Sequence, residues 1–175
     1  MSSRTSKKIL TIILFIFILT SSFSQEKDYT LKLDVVKSVF GIYQLEGEYH
    51  KTDQLSYGLG LLYFNTKTML FFDMDIKEEG YMISPFVRYY TRSNNESSSF
   101  FQSNLRYGYF VGLSYEKWTS MLSLDAVYGY QFKLNKSLFF EPSIGLGAFK
   151  VLGSDNAYGL VTPYLLANFN ISIKI

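Results

Sequence analysis

Among side chains that could carry chemistry, the 175-residue chain offers one histidine, His50, and no cysteine. That excludes thiol nucleophiles, disulfide frameworks, Cys-ligated metals and a lipid-modified N-terminal cysteine, and it leaves too few imidazoles for a zinc site. His50 lies at the end of the second of the alternating segments. It stands directly before Lys51-Thr52-Asp53-Gln54 and reads as an ordinary turn residue. The acidic run is Phe71 to Gly80, where Asp73, Asp75, Glu78 and Glu79 are the hard oxygen donors that a cation such as Ca²⁺ takes. Their spacing is not that of an EF-hand loop. A solvated loop whose Phe71 and Phe72 meet lipid or a partner is the plainer reading. The pairs Gly58/Gly60 and Gly145/Gly147 have no helix after them and so are not phosphate loops. Asn95-Glu96-Ser97 matches a glycosylation sequon but lies in the polar run Arg92 to Ser99, which reads as a turn. No catalytic, cofactor-binding or metal-ligating residue is assigned, and no cofactor is expected.

The elements that would hold these residues begin after an export signal. Arg4, Lys7 and Lys8 precede the apolar run Ile9 to Leu19, and Ser22-Phe23-Ser24 supplies small residues before Gln25. This is a cleavable signal peptide over residues 1–24, too short in its apolar part to span a bilayer. Its removal changes 17 basic against 15 acidic residues into 14 against 15. A mature chain so close to neutral is not a nucleic-acid binder. Residues 25–175 form one domain with period-two alternation in eight segments, the mark of strands with two unlike faces. They run approximately over 29–36, 42–50, 55–64, 81–90, 100–115, 121–132, 138–149 and 160–175.

One face of all eight is free of charge. The other carries Lys32, Asp34, Glu46, Glu48, Arg88, Arg106, Asp125 and Glu141. Three features turn the apolar face outward. Gly58, Gly60, Gly108, Gly112, Gly129, Gly145 and Gly147 share the polar face, where a crowded interior suits them. Aromatic residues of the apolar face gather at two levels. Tyr29, Tyr49, Tyr57, Tyr89, Phe101, Phe132 and Phe140 make one ring, and Tyr43, Tyr63, Tyr81, Tyr115 and Trp118 make the other, as in the girdles of membrane barrels. An exported chain with a greasy exterior also needs a membrane, and a closed sheet leaves no backbone unpaired in lipid. The expected fold is therefore all-β, an eight-stranded antiparallel up-and-down transmembrane β-barrel. Its lumen should be filled by side chains, with the interior charges paired, because unpaired buried charge costs several kcal/mol. With both chain ends periplasmic, the tight turns 51–54 and 133–137 fall on the periplasmic side and the loops 65–80 and 150–159 outside. The short outer link 37–41 and the long polar turn 92–99 are exceptions.

The pattern resembles the small bacterial outer-membrane barrels, OmpX-like and OmpA-type, including uncharacterised members of the outer-membrane β-barrel domain families. The likeness is carried by Ser22-Phe23-Ser24-Gln25, by Leu62-Tyr63-Phe64-Asn65, by Glu141 to Lys150 and by the last strand, Thr162 to Ile175. That strand resembles the C-terminal signal read by the barrel-insertion machinery, although it ends in Ile175 rather than an aromatic residue. The resemblance implies a bacterial outer-membrane location, contact with outer-membrane lipid and with the insertion machinery, and a structural, adhesive or envelope-interaction role without enzymatic activity. Two alternatives are a soluble, secreted lipocalin-like binding barrel with its greasy face inward, and an outer-membrane lipid-modifying enzyme. Enzymes of that architecture use His with Ser, Asp or Glu in the outer leaflet, away from the periplasmic end expected for His50.

Overall fold

The computed structural model describes residues 29–39, 41–68, 76–112, 115–152 and 161–175, without the side chains of 66–68, 76–78, 112 and 115–117. The leader and the cluster Phe71 to Asp75 lie outside these residues. Eight antiparallel strands follow one another in order around a closed barrel. They are β1 (Tyr29–Asp34), β2 (Ile42–His50), β3 (Leu55–Thr68), β4 (Ile76–Tyr90), β5 (Ser98–Gly112), β6 (Tyr115–Lys133), β7 (Leu138–Leu152) and β8 (Thr162–Lys174), with a five-residue helix α1 (Val35–Val39) after β1.

The alternation seen in the sequence becomes an inside and an outside. Along β4, Tyr81, Ile83, Val87 and Tyr89 are exposed while Met82, Ser84, Phe86, Arg88 and Tyr90 are buried. The same holds in β1, β2, β5, β6 and the lower part of β8. Leu59, Leu61, Leu105, Leu124, Ile144 and Leu146 stand bare on the exterior between the aromatic levels. The lipocalin-like arrangement, which needs those residues around a central cavity, is thereby overturned.

The register also gives the barrel's stagger. A path from Tyr29 through Tyr49, Tyr57, Val87, Ser103, Ala126, Leu146 and Leu165 returns toward β1 at the position of Val39, a shift of 10 residues. Such a shear tilts the strands and keeps the lumen of an eight-stranded barrel narrow enough for side chains to fill.

Four expectations about connections change. β1 stops at Asp34 instead of continuing through Val36, because Asp34 Oδ1 accepts the Lys37 backbone N–H at 3.0 Å and caps α1. Gly41, with φ 78°, then turns the chain back into β2, a left-handed conformation that glycine adopts without strain. The stretch 65–80 is not a free loop, since β3 and β4 stay paired as far as Thr68 and Ile76. β6 likewise begins at Tyr115, and β7 runs on to Leu152. These distal strand parts lack apolar alternation in the sequence, and their backbone pairing keeps them extended.

Candidate functional site

The tightest chemistry lies in the lumen. Lys32 on β1, Glu48 on β2, Arg88 on β4 and Glu141 on β7 point inward from four walls and are fully buried. Glu141 Oε2 accepts from Lys32 Nζ at 3.1 Å and from Arg88 Nη1 at 2.7 Å, and its Oε1 accepts from Ser172 Oγ at 2.7 Å. Glu48 pairs with Lys32, accepts from Ser56 Oγ, and accepts from the Tyr90 hydroxyl at 3.0 Å. Arg88 Nε donates to Gln102 Oε1 at 2.6 Å, and Gln102 passes the chain on to Asn104, also at 2.6 Å. The guanidinium lies 3.9 Å from the centre of the Phe100 ring, which contributes a cation–π attraction.

Two further clusters fill the lumen towards the α1 end. Arg106 Nε meets Asp125 Oδ2 at 2.8 Å, and the Tyr164 hydroxyl donates to Asp125 Oδ1. Beneath α1, Lys37 Nζ donates to Gln44 Oε1 at 3.0 Å and to Asn168 Oδ1, with Asp34 Oδ2 at 3.4 Å. The sequence placed three luminal cations against five carboxylates. The structure supplies two more, Lys37 from the link between strands and Lys174 from the end of β8, so the described lumen balances.

His50 is not a surface turn residue. It is 6% exposed, faces the lumen, and shares a 2.7 Å hydrogen bond between Nε2 and Thr30 Oγ1. Below it the polar turn 91–97 folds under the barrel mouth. Asn94, 3% exposed, donates its backbone N–H to Asp53 O at 2.8 Å and its Nδ2 to Thr52 O at 3.2 Å. Its Oδ1 accepts from Lys174 Nζ at 2.6 Å, and its carbonyl accepts from Gln131 Nε2 at 2.9 Å. The sequon asparagine, Asn95, takes part in the same closure through Lys174 at 2.8 Å and Lys133 at 2.8 Å.

Sequence reasoning missed the apolar part of the filling: Leu62, Met82, Phe86, Tyr90, Phe100, Val127 and Phe139 point inward. The signal was present in the glycines. A side chain at Gly58 would strike the Phe86 ring, and one at Gly129 would strike Phe100. Glycine at these positions marks where a neighbouring strand sends in an aromatic ring, whereas Gly60, Gly108 and Gly145 face Ser84, Met82 and Val127. Of the acidic run, Glu79 is described and accepts a 3.3 Å hydrogen bond from the Tyr63 hydroxyl. Asp73 and Asp75, and the side chain of Glu78, lie outside the described residues.

The two aromatic levels are both present. Tyr29–Tyr49, Phe101–Tyr128, Tyr130–Phe132 and Phe132–Phe140 have ring centres 5.2, 4.9, 4.6 and 6.4 Å apart at the turn end. Tyr43–Tyr63, Tyr81–Tyr109 and Tyr81–Trp118 lie at 6.4, 5.7 and 5.8 Å at the other. Tyr115, assigned to this second ring from sequence, has its side chain outside the description.

A lumen filled by ion pairs inside an apolar wall banded by aromatic rings defines an architecture. The fold is that of the eight-stranded outer-membrane barrels. The N-terminal β-barrel domain of Pseudomonas aeruginosa OprF is similar at a TM-score of 0.59 and 12% identity, covering 84% of this chain and 96% of that one. Neisserial surface protein A (NspA) is similar at 0.57 and 10%, covering 84% and 93%. No family model and no curated protein matches the sequence. At such identities the likeness extends to the barrel and to no individual residue.

Proposed function

We propose that this chain is an integral protein of a bacterial outer membrane. In this reading it spans the bilayer as a closed barrel and serves a structural, adhesive or envelope-interaction role. One observation carries the proposal. Around the circumference, the surface between the aromatic levels is apolar while Lys32, Glu48, Arg88 and Glu141 are withdrawn into the lumen. Water would favour the reverse, whereas hydrocarbon requires it. The similarity to OprF and NspA barrels supports the same placement. The partners that follow are outer-membrane lipid around the belt and the insertion machinery at β8. The three luminal clusters and the Asn94 closure leave the barrel a scaffold rather than a conduit.

The test is fractionation with a folding assay. The protein should be recovered with the outer membrane and should migrate faster on a gel unheated than boiled. Recovery in the soluble periplasm would refute the proposal. Reconstituted in a planar bilayer, it should add no steady conductance above that of the bare membrane. The lipid-modifying alternative is addressed by His50→Ala: unchanged lipid A acylation in cells carrying that variant removes it.

A further inference from the structure

The barrel wall is not uniform. β3 and β4 pair over 14 positions, but β1 pairs with β8 over only five, Thr30 to Asp34 against Lys174 to Asn170. The shear requires a strand to reach Val39 for the wall to close level with Leu165, yet β1 leaves the sheet at Asp34. The edge of β8 over Thr162–Phe169 therefore faces no strand, a span of roughly 27 Å at ~3.4 Å per residue. The helix α1 packs against both β8 and β2. Backbone left unpaired in hydrocarbon is costly. The outer flank of the gap is apolar: Leu165 is 83% exposed and Val39 82%, and Val36 on α1 is also exposed.

Behind the gap the lumen is polar. The carboxylates Asp34, Glu46 and Asp125 are buried there with the cations Lys37 and Arg106, within a described lumen whose charges balance. Asp125 is taken by Arg106 and Asp34 by Lys37. Glu46 accepts from Gln44 Nε2 through Oε1 at 2.5 Å, but its Oε2 has no partner, and neither does Ser84 Oγ. Both residues are 3% exposed. They flank Gly60 in register, and that glycine puts no side chain into the space between them. A Cβ there would come within 3.3 Å of Ser84 and 3.4 Å of Glu46.

We infer that the β2–β8 seam is a lateral portal roofed by α1, and that it binds a single-chain amphiphile with an ammonium head group. The ammonium would donate to Glu46 Oε2 and Ser84 Oγ. The chain would lie along the unpaired β8 edge against Val36, Val39 and Leu165. Lys37, joined to Asp34, Gln44 and Asn168, is the latch that holds α1 over the opening. This assignment rests on the membrane placement proposed above, since only a lipid phase delivers such a ligand sideways.

The experiment uses the folded protein in octyl glucoside micelles with dodecylammonium as probe, and dodecanol and dodecanoate as chain-matched controls. Native mass spectrometry should show one dodecylammonium bound at least about tenfold more tightly than either control, and Glu46→Gln should abolish that preference while keeping heat-modifiable migration. Where the tail lies is read by bromine quenching. With ω-bromododecylammonium at one equivalent, a tryptophan placed by Leu165→Trp in a Trp118→Phe background should be quenched, and Trp118 of the unaltered protein should not. Equal affinity for the three head groups, an unaffected Glu46→Gln variant, or equal quenching at both positions would overturn the portal. Each of these results leaves the membrane placement standing if the protein still fractionates with the outer membrane. Recovery in the soluble periplasm would instead remove the placement itself.

Discussion

Arg88 shows what a single luminal side chain does in this barrel. It reaches Glu141 and Gln102 directly, accepts a ring face from Phe100, and is joined to Glu48 through Tyr90. Deleting one partner leaves the other charges buried and uncompensated, which costs about 3–5 kcal/mol, whereas replacing a whole ion pair by apolar groups of similar volume can be neutral. Glu141→Ala should therefore lower the urea midpoint of unfolding in micelles far more than the combined change Glu141→Leu with Arg88→Met, and comparing the two midpoints checks this. Glycine makes a complementary case. Gly58→Val would drive two methyl groups into Phe86, and overpacking of this kind costs typically 1–3 kcal/mol. Combining it with Phe86→Ala should restore only part of the loss in the same unfolding assay, because a Cβ at this position also lies 2.6 Å from the Gly47 carbonyl oxygen.

At the scale of elements, closure is uneven. β1 has only six residues and pairs over five positions on each side, against 14 between β3 and β4. Local opening starts where paired backbone is shortest, so the amides of β1 should exchange fastest among the strands in a hydrogen-exchange experiment on the folded barrel. At the opposite extreme, the turn 91–97 is held like a strand. Asn94 ties it to the 51–54 turn, to Gln131 and to Lys174. Asn94→Ala leaves the Thr52 carbonyl and the Lys174 ammonium without those bonds, a loss of about 1–3 kcal/mol by the cost of an unsatisfied buried group. The expected readouts are a lower unfolding midpoint and proteolytic cleavage within 91–97 that the unaltered protein resists. How much of this was legible differs by element. The strands within the belt were plain because alternation there is enforced by two solvents. The ends of β3, β4 and β6 were hidden because their residues carry no apolar alternation, and the helix after Asp34 was hidden because a five-residue turn has no period to read.

For the whole molecule the deciding quantity is which face meets hydrocarbon. Ile144 is 68% exposed on β7, four residues along from Phe140 of the lower girdle. A lysine at that depth should cost about 2–4 kcal/mol in a bilayer and far less near either interface. Ile144→Lys should thus refold into lipid vesicles with a clearly lower stability, while Val161→Lys, beyond the outer ring, should change little. If both substitutions were silent, the belt would not be in lipid. The absence of added conductance across a planar bilayer belongs to the same scale, since it requires all three luminal clusters and the Asn94 closure at once.

Alternation of the kind seen in Leu31, Leu59 and Leu105 against Lys32, Gly58 and Arg106, repeated over eight segments with aromatic residues near their ends, established two unlike faces, eight strands, two aromatic levels and a charged interior. Alternation is a local property: each strand records both of its environments in its own residues. The pairing of Glu141 with Lys32 and Arg88, the recruitment of Lys37 and Lys174 as counter-charges, the burial of His50 and the unpaired stretch of β8 could be read only from the folded chain. Each depends on stagger around the circumference, and a shift that accumulates strand by strand over eight registers leaves no mark in any one segment.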